Sequence, residues 1–139
     1  MAEQGRHEAQ AKHNKDMLVF IDAYDTADQF RDWYITVTYY TALHYFEAIL
    51  PVVVPQINRR RKILPFKEHY HDHGERLKAM ADAEFATIHK PYATLHKISK
   101  AAKYNEHDVT RYIKELVRGY LTQTEIECKK VRDAVLRMP

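Results

Sequence analysis

Apolar residues recur at intervals of three and four along almost the whole chain. This spacing places them on one face of an α-helix, whereas a half-buried strand would alternate apolar and polar residues. Only three glycines and five prolines occur among 139 residues, so the chain has few of the turn signals that β-hairpins need. The pattern therefore predicts an all-α protein.

Caps and helix breakers divide this pattern into helical regions. The first helix is predicted from about Glu3 to Tyr24, ended by Asp25-Thr26, and the second, capped by Asp28, from Gln29 to Leu50. A third helical region starts near Phe66 and is interrupted at His73-Gly74, and a short segment follows around Arg76 to Ala86. Lys90-Pro91 opens the next helix and Asn105 closes it, and the last helix runs from after Asp108 to about Arg137. In the first helix, Leu18, Ile21 and Tyr24 are expected to face the core.

The second helix is apolar on most of its circumference, which is typical of a helix at the centre of a bundle. Two apolar stripes run along it: Trp33, Val37, Tyr40, His44 and Ala48, and Ile35, Tyr39, Ala42, Phe46 and Ile49. Pro51 and Pro55 are expected to end this helix, because proline removes a backbone donor and clashes with the preceding turn. A connector of about fifteen residues should follow.

Length and composition predict one domain over residues 1–139. The single cysteine, Cys128, cannot form an internal disulfide, and no uninterrupted run of about 18 apolar residues predicts a membrane span. The first sixteen residues are polar and charged, unlike a secretory signal peptide. These features together predict a cytoplasmic protein with no membrane association.

The densest polar cluster runs from His69 to Arg76 and contains three histidines, two carboxylates and one arginine. A metal site is the weakest interpretation, since zinc ligands favour separate elements or helical i, i+4 spacing, and we expect no metal and no cofactor. A solvated turn and a functional pair of His73 and Arg76 both remain open. If helical, these two residues lie on one face.

His44 lies in the middle of the most apolar helix, where an imidazole needs hydrogen-bond partners. Tyr39, Tyr40 and Tyr45 surround it in the sequence. Two interpretations stay open: a core histidine with satisfied hydrogen bonds, or a residue that lines a pocket together with the tyrosines.

Two basic segments could contact phosphate groups. Arg59, Arg60, Arg61 and Lys62 fall in the predicted connector, and Lys97, Lys100 and Lys103 recur at every third residue beside His96. An ordinary solvated helix face is the alternative for the lysines. The formal net charge of +3 does not by itself indicate nucleic-acid binding.

Serine-based catalysis and nucleotide triphosphate hydrolysis are excluded, because the only serine, Ser99, follows no glycine elbow and the chain has no glycine-rich loop.

Several segments, taken in order, resemble a branch of the HEPN superfamily. They are Asp32-Trp33, Tyr39-Tyr40-Thr41-Ala42-Leu43-His44, His73-Gly74-Glu75-Arg76, and Tyr92 with Leu95, Ser99 and Lys103-Tyr104; the early His7-Glu8-Ala9 and His13-Asn14 are similar to its first helix. The resemblance implies an up-and-down bundle of four main helices, here with an extra short helix and a basic connector, and commonly a homodimer.

Many HEPN members are ribonucleases of toxin, antiviral and CRISPR systems, and others are binding modules without catalytic activity. The ribonucleases carry an arginine, four to six spacers and a histidine near the last helix, but no histidine follows His107 here. The resemblance instead implies an alternative polar set of His44, His73, Arg76, Ser99 and Tyr104, with Lys103 where the branch often has arginine. Tyr40, from the tyrosines around His44, is a further candidate binding residue.

This set could bind RNA or a nucleotide-like ligand and cleave RNA without a metal. A histidine, His44 or His73, would act as the base and Arg76 would stabilise the charge on phosphorus. The alternative is a noncatalytic protein-interaction module, in which His73 and Arg76 clasp the buried end of His44 and the cluster is structural.

Overall fold

The computed structural model describes residues 2–25, 30–61, 66–104 and 114–138, without the side chains of residues 2–4, 103 and 104. These residues form five α-helices and no strand: α1 (Ala2–Tyr24), α2 (Arg31–Arg61), α3 (His73–Met80), α4 (Ala86–Tyr104) and α5 (Lys114–Leu136). The predicted all-α class is confirmed. The predicted starts of the second and last helices lie outside the described residues.

Helix α2 forms the centre of the fold and packs against α1, α4 and α5. Helices α4 and α5 also contact each other, and α3 packs on α4. Fifteen α2 residues are buried, among them all five members of the second predicted stripe. A helix that buries most of its circumference needs neighbours on several sides, so the central position predicted for it is confirmed.

The predicted end of this helix at Leu50 is wrong. Helix α2 continues through Pro51 and Pro55 to Arg61, so the expected basic connector does not begin at Pro51, and Arg59, Arg60 and Arg61 form the last helical turn. Each proline removes one helical hydrogen bond. The burial of Val53, Val54 and Ile57 at 2% exposure or less compensates for this cost.

The region from Phe66 to Asp72 is not helical, contrary to the prediction. The Asn58 side chain of α2 anchors it by donating to the carbonyl of Phe66. Within the segment, the Tyr70 hydroxyl accepts from the backbone N–H of Lys67. Helix α3 then begins at His73. Asp72 caps it by accepting from the backbone N–H of Glu75 at 3.0 Å. Gly74 therefore lies in the first turn of a helix and does not interrupt one.

Helix α4 begins at Ala86, five residues before the predicted start at Pro91. The backbone N–H groups of Ile88 and His89 both bond to the carbonyl of Phe85, which starts the helix before the proline. Pro91 thus occupies the second turn. Tyr92, Leu95 and Ile98 face the core as expected.

Helix α1 ends at Tyr24 as predicted, but Tyr24 in its last turn does not face the core as expected. Leu18 is buried, but Tyr24 is 74% exposed, as is Trp33 of the first predicted α2 stripe at 61%. These rings and those of Phe20 and Phe30 line an apolar groove of about 330 Å³ between α1 and the start of α2. The sequence pattern could not place them, because amphipathic spacing does not distinguish a core face from an exposed apolar face.

Helix α2 is long and apolar enough to cross a membrane by length and composition alone. The most apolar 18-residue stretch of this helix is 67% buried inside the protein, as is also typical of a core helix.

Candidate functional site

A buried ion pair joins α2 to α3 at the centre of the polar cluster. Nε of Arg76 donates to Oε1 of Glu47 over 2.7 Å, and these residues are 3% and 0% exposed. Burial opposes the charge on Arg76, but Tyr92 and Glu47 raise the pKa of its guanidinium above the usual value. Arg76 therefore keeps its charge inside the fold.

The segment before α3 wraps around the same carboxylate. The backbone N–H of Tyr70 lies 3.3 Å from both oxygens of Glu47, and Nδ1 of His69 lies 2.9 Å from Oε2. Arg76 also donates from Nη2 to the carbonyl of Tyr70. A charge buried with this many hydrogen bonds holds the segment against α2.

His73 stands at the exposed edge of this network, and Arg76 determines its tautomer. Nη1 of Arg76 lies 3.1 Å from Nδ1 of His73. Since a guanidinium can only donate, Nδ1 must accept, and in the neutral ring the proton is on Nε2. The hydroxyl of Tyr39 lies 2.8 Å from the same Nδ1 and shares its one lone pair with Arg76. With the Tyr39 proton directed to His73, the hydroxyl of Tyr92 donates to Tyr39 over 2.9 Å. Burial raises the pKa of both tyrosines, so both hydroxyls stay protonated.

A second imidazole lies beside His73. The ring centroids of His73 and His96 are 5.7 Å apart, and His96 also contacts Tyr39. Tyr40 closes the other side of His73, with ring centroids 6.4 Å apart. We call the surface formed by His73, His96 and Tyr40, with Arg76 and Tyr39 behind it, the imidazole surface.

Three further histidines contact one another on the α1 side of Glu47. Nδ1 of His7 lies 2.8 Å from Nδ1 of His44, and the ring of His7 stacks on that of His69 with centroids 5.3 Å apart. Burial, followed by the neighbouring His7, Arg76 and His69, lowers the pKa of His44 to about 4. His44 is therefore a neutral imidazole at pH 7.

His73 and Arg76 contact each other directly, whereas a chain of contacts joins His44 to them through other residues. From His44 the contacts pass through His7, His69 and Glu47 to Arg76, and from there to His73. The tyrosines expected around His44 lie in different places. Tyr39 and Tyr92 belong to the hydrogen-bond network of His73, whereas Tyr45 forms a hydrogen bond with Glu125 of α5.

The remaining predicted site residues are dispersed. Ser99 is buried at 3% exposure. Arg60 pairs with Glu84 over 2.6 Å and Arg61 with Asp82 over 3.1 Å, so both bind the turn before α4. Lys62 lies outside the described residues, as do the side chains of Lys103 and Tyr104.

Sequence reasoning missed Glu47, the residue around which the network is built. One signal could have revealed it: Glu47 is the only carboxylate between Asp32 and Glu68, in the most apolar helix of the chain. A lone buried acid requires a cationic partner. His7, His69 and His96 carry no comparable signal, because their proximity depends on how four elements pack.

The chain matches no known protein family, no curated protein and no solved structure.

Proposed function

We propose that the imidazole surface binds the phosphate groups of RNA or of a nucleotide-like ligand. The observation that carries this proposal is the pair of imidazoles of His73 and His96, whose ring centroids are 5.7 Å apart. The charged Arg76 forms a hydrogen bond with His73. At this centroid distance a ring nitrogen of each residue can reach the same phosphate group, since each hydrogen bond spans about 2.7–3.2 Å. His73 also carries its proton on Nε2, which makes it a donor toward an anion.

The surroundings of the imidazole surface suit such a ligand. Lys100 is exposed and follows His96 by four residues, so both lie on the same face of α4. Tyr40 offers an aromatic ring beside the two imidazoles, and aromatic rings in basic grooves are platforms for stacked bases. Lys100, the two imidazoles and the ring of Tyr40 are the components of a surface that binds single-stranded nucleic acid.

The proposal extends to metal-independent cleavage of RNA, for which the hydrogen bonds restrict the role that each side chain can take. A neutral His73 that accepts from Arg76 at Nδ1 cannot take a proton at Nε2. His96 would therefore remove the 2′-hydroxyl proton, and the 2′-oxygen would form a bond to phosphorus as the bond to the 5′-oxygen breaks. His73 and Arg76 would stabilise the charge on phosphorus, and water would protonate the departing 5′-oxygen. His44 would take no part, because it lies beyond Glu47.

The same proposal includes the HEPN assignment and a four-helix bundle in up-and-down order made by α1, α2, α4 and α5, with α3 as the extra helix. The packing of α2 against the three other long helices supports this arrangement. We also propose a cytoplasmic location, as expected from the composition.

A protein-interaction module is the second candidate, and the apolar groove favours it. Phe20, Tyr24, Phe30 and Trp33 are each more than half exposed. In this alternative the groove receives a second copy of the chain, giving the homodimer that the resemblance implies, and the Glu47 network is structural. Sedimentation velocity tests it: we expect a dimer that Phe20→Glu converts to monomer, and a wild-type monomer at all concentrations would refute it.

The RNA proposal is tested by fluorescence anisotropy with a labelled single-stranded RNA, at several salt concentrations and with EDTA. We expect binding that weakens as salt increases, and further weakening in His96→Gln and Lys100→Gln. Lys12→Gln is the matched control, because Lys12 is an exposed lysine of α1, and α1 packs on α2 and not on α4. Equal binding by all three variants, or no binding at low salt, would refute the proposal. Intact RNA after long incubation would refute cleavage alone.

A further inference from the structure

Three side chains from three different elements meet on the α1 side of the network. His7 belongs to α1, Glu47 to α2 and His69 to the segment before α3, and each offers one ligand atom within 4.8 Å of the other two. His7 and Glu47 are buried, and His69 is partly exposed. The phosphate-binding proposal uses none of the three as a ligand contact.

The ligand set fits a transition metal. Two imidazoles and one carboxylate suit zinc and its neighbours in the first transition row, whereas magnesium and calcium require a shell of oxygens. In a tetrahedral zinc site with bonds of about 2.1 Å, two ligand atoms lie about 3.4 Å apart. No two of the ligand atoms must close by more than about 1.4 Å. Nδ1 of His69 and Oε2 of Glu47, now 2.9 Å apart, would separate by about 0.5 Å. Rotation of side-chain torsions can provide both changes.

The hydrogen bonds around the three residues determine which atoms a metal ion could use. Arg76 occupies Oε1 of Glu47, whereas Oε2 accepts from Nδ1 of His69 over 2.9 Å. The Nδ1 atoms of His7 and His44 face each other at 2.8 Å, so at most one of these two nitrogens carries a proton. Nδ1 of His69 would have to release its proton before it could bind a metal, as is usual when a metal binds. Arg76 at the same time fixes the orientation of the carboxylate, as outer partners of metal ligands do.

We propose that His7, Glu47 and His69 bind one divalent transition-metal ion, with zinc as the reference ion. The ion would tie α1 to α2 and to the segment before α3, and it would replace the hydrogen bond between His69 and Glu47. This inference is independent of the phosphate-binding proposal, because its test contains no RNA.

The first experiment titrates chelator-treated full-length protein with Zn²⁺ in a calorimeter and compares Mg²⁺. We expect one tight Zn²⁺ per chain, no Mg²⁺ binding, and a higher melting temperature with Zn²⁺. His7→Gln and His69→Gln should each weaken Zn²⁺ binding at least about tenfold, since even outer partners of ligands are worth 10–100-fold. His13→Gln is the matched control: His13 is an exposed histidine on the same helix as His7.

The second experiment gives a positive readout that does not depend on loss of binding. With Co²⁺ in place of Zn²⁺, His69→Cys should retain one ion and gain a thiolate charge-transfer band that wild type and His13→Cys lack. Circular dichroism in EDTA checks that every variant is folded. Full Zn²⁺ affinity in a His7→Gln/His69→Gln double variant, an equal loss in His13→Gln, or no charge-transfer band would each overturn the proposal.

Discussion

Nε of Arg76 lies 2.7 Å from Oε1 of Glu47, and both side chains are almost completely buried. Removal of one partner would leave an uncompensated charge in the interior. We expect Arg76→Leu to lower the free energy of unfolding by about 3–5 kcal/mol, the usual cost of breaking a buried pair. Urea denaturation measures this value.

The control for this prediction is Lys12→Gln, which breaks the exposed pair of Lys12 and Asp16, 79% and 67% exposed. Exposed pairs contribute about 0–1 kcal/mol, so the control should change little. If Arg76→Leu were as stable as the control, the ion pair would not hold α3 to α2.

The tyrosine hydroxyls behind His73 should be coupled energetically. Tyr92 donates to Tyr39, which donates to His73, so Tyr39→Phe and Tyr92→Phe disrupt one chain of hydrogen bonds. Each should cost about 1 kcal/mol of stability. The double variant should cost less than the sum by about 0.5 kcal/mol or more, because the second change removes a bond already lost. Simple additivity in denaturant titrations would show that the hydroxyls act separately.

The basic end of α2 should make a smaller contribution to RNA binding than its charge suggests. Arg60 and Arg61 are already paired with Glu84 and Asp82, and Arg60 lies 21 residues beyond Tyr39, roughly 30 Å along the helix. We expect Arg60→Gln to lower the stability of the fold slightly. The slope of the logarithm of the RNA-binding constant against the logarithm of the salt concentration should change by less than about 0.7, the contribution of one phosphate of a single strand.

Arg59→Gln supplies the comparison, because Arg59 is exposed in the same helical turn. We expect its effect on the salt slope to exceed that of Arg60→Gln. A larger effect of Arg60→Gln would mean that the pair with Glu84 opens when RNA binds.

Cys128 should be chemically inert in the folded protein. It is 2% exposed, and burial raises the pKa of its thiol, so it stays protonated at pH 8, where a free cysteine is partly thiolate. Ellman's reagent should react at the rate of global opening and reach full rate only in denaturant. Since Cys128 is the only cysteine, the signal has one source. Fast reaction in buffer would contradict the burial of this face of α5.

The prolines and the polar cluster show where sequence reasoning fails. Pro51 and Pro55 predict a helix end because the local cost of a proline is known, but the compensation comes from the burial of Val53, Val54 and Ile57 by distant helices. Likewise, His69 and His73 would share a helical face if the segment were helical. In the fold, His69 faces Glu47 and His73 faces Tyr39, because Asp72 starts the helix between them.

The sequence by itself determined the all-α class, the central position of α2 and the selection of His73 and Arg76 as neighbours. Each of these follows from helical periodicity or from a spacing of three residues within one short segment. Only the tertiary structure decided that Glu47 is the partner of Arg76, that His96 lies beside His73, and that His7 and His69 meet on the other side of Glu47. These contacts join residues that are 23 to 62 positions apart in the sequence. Contacts at such separations depend on the packing of whole helices and not on any local pattern.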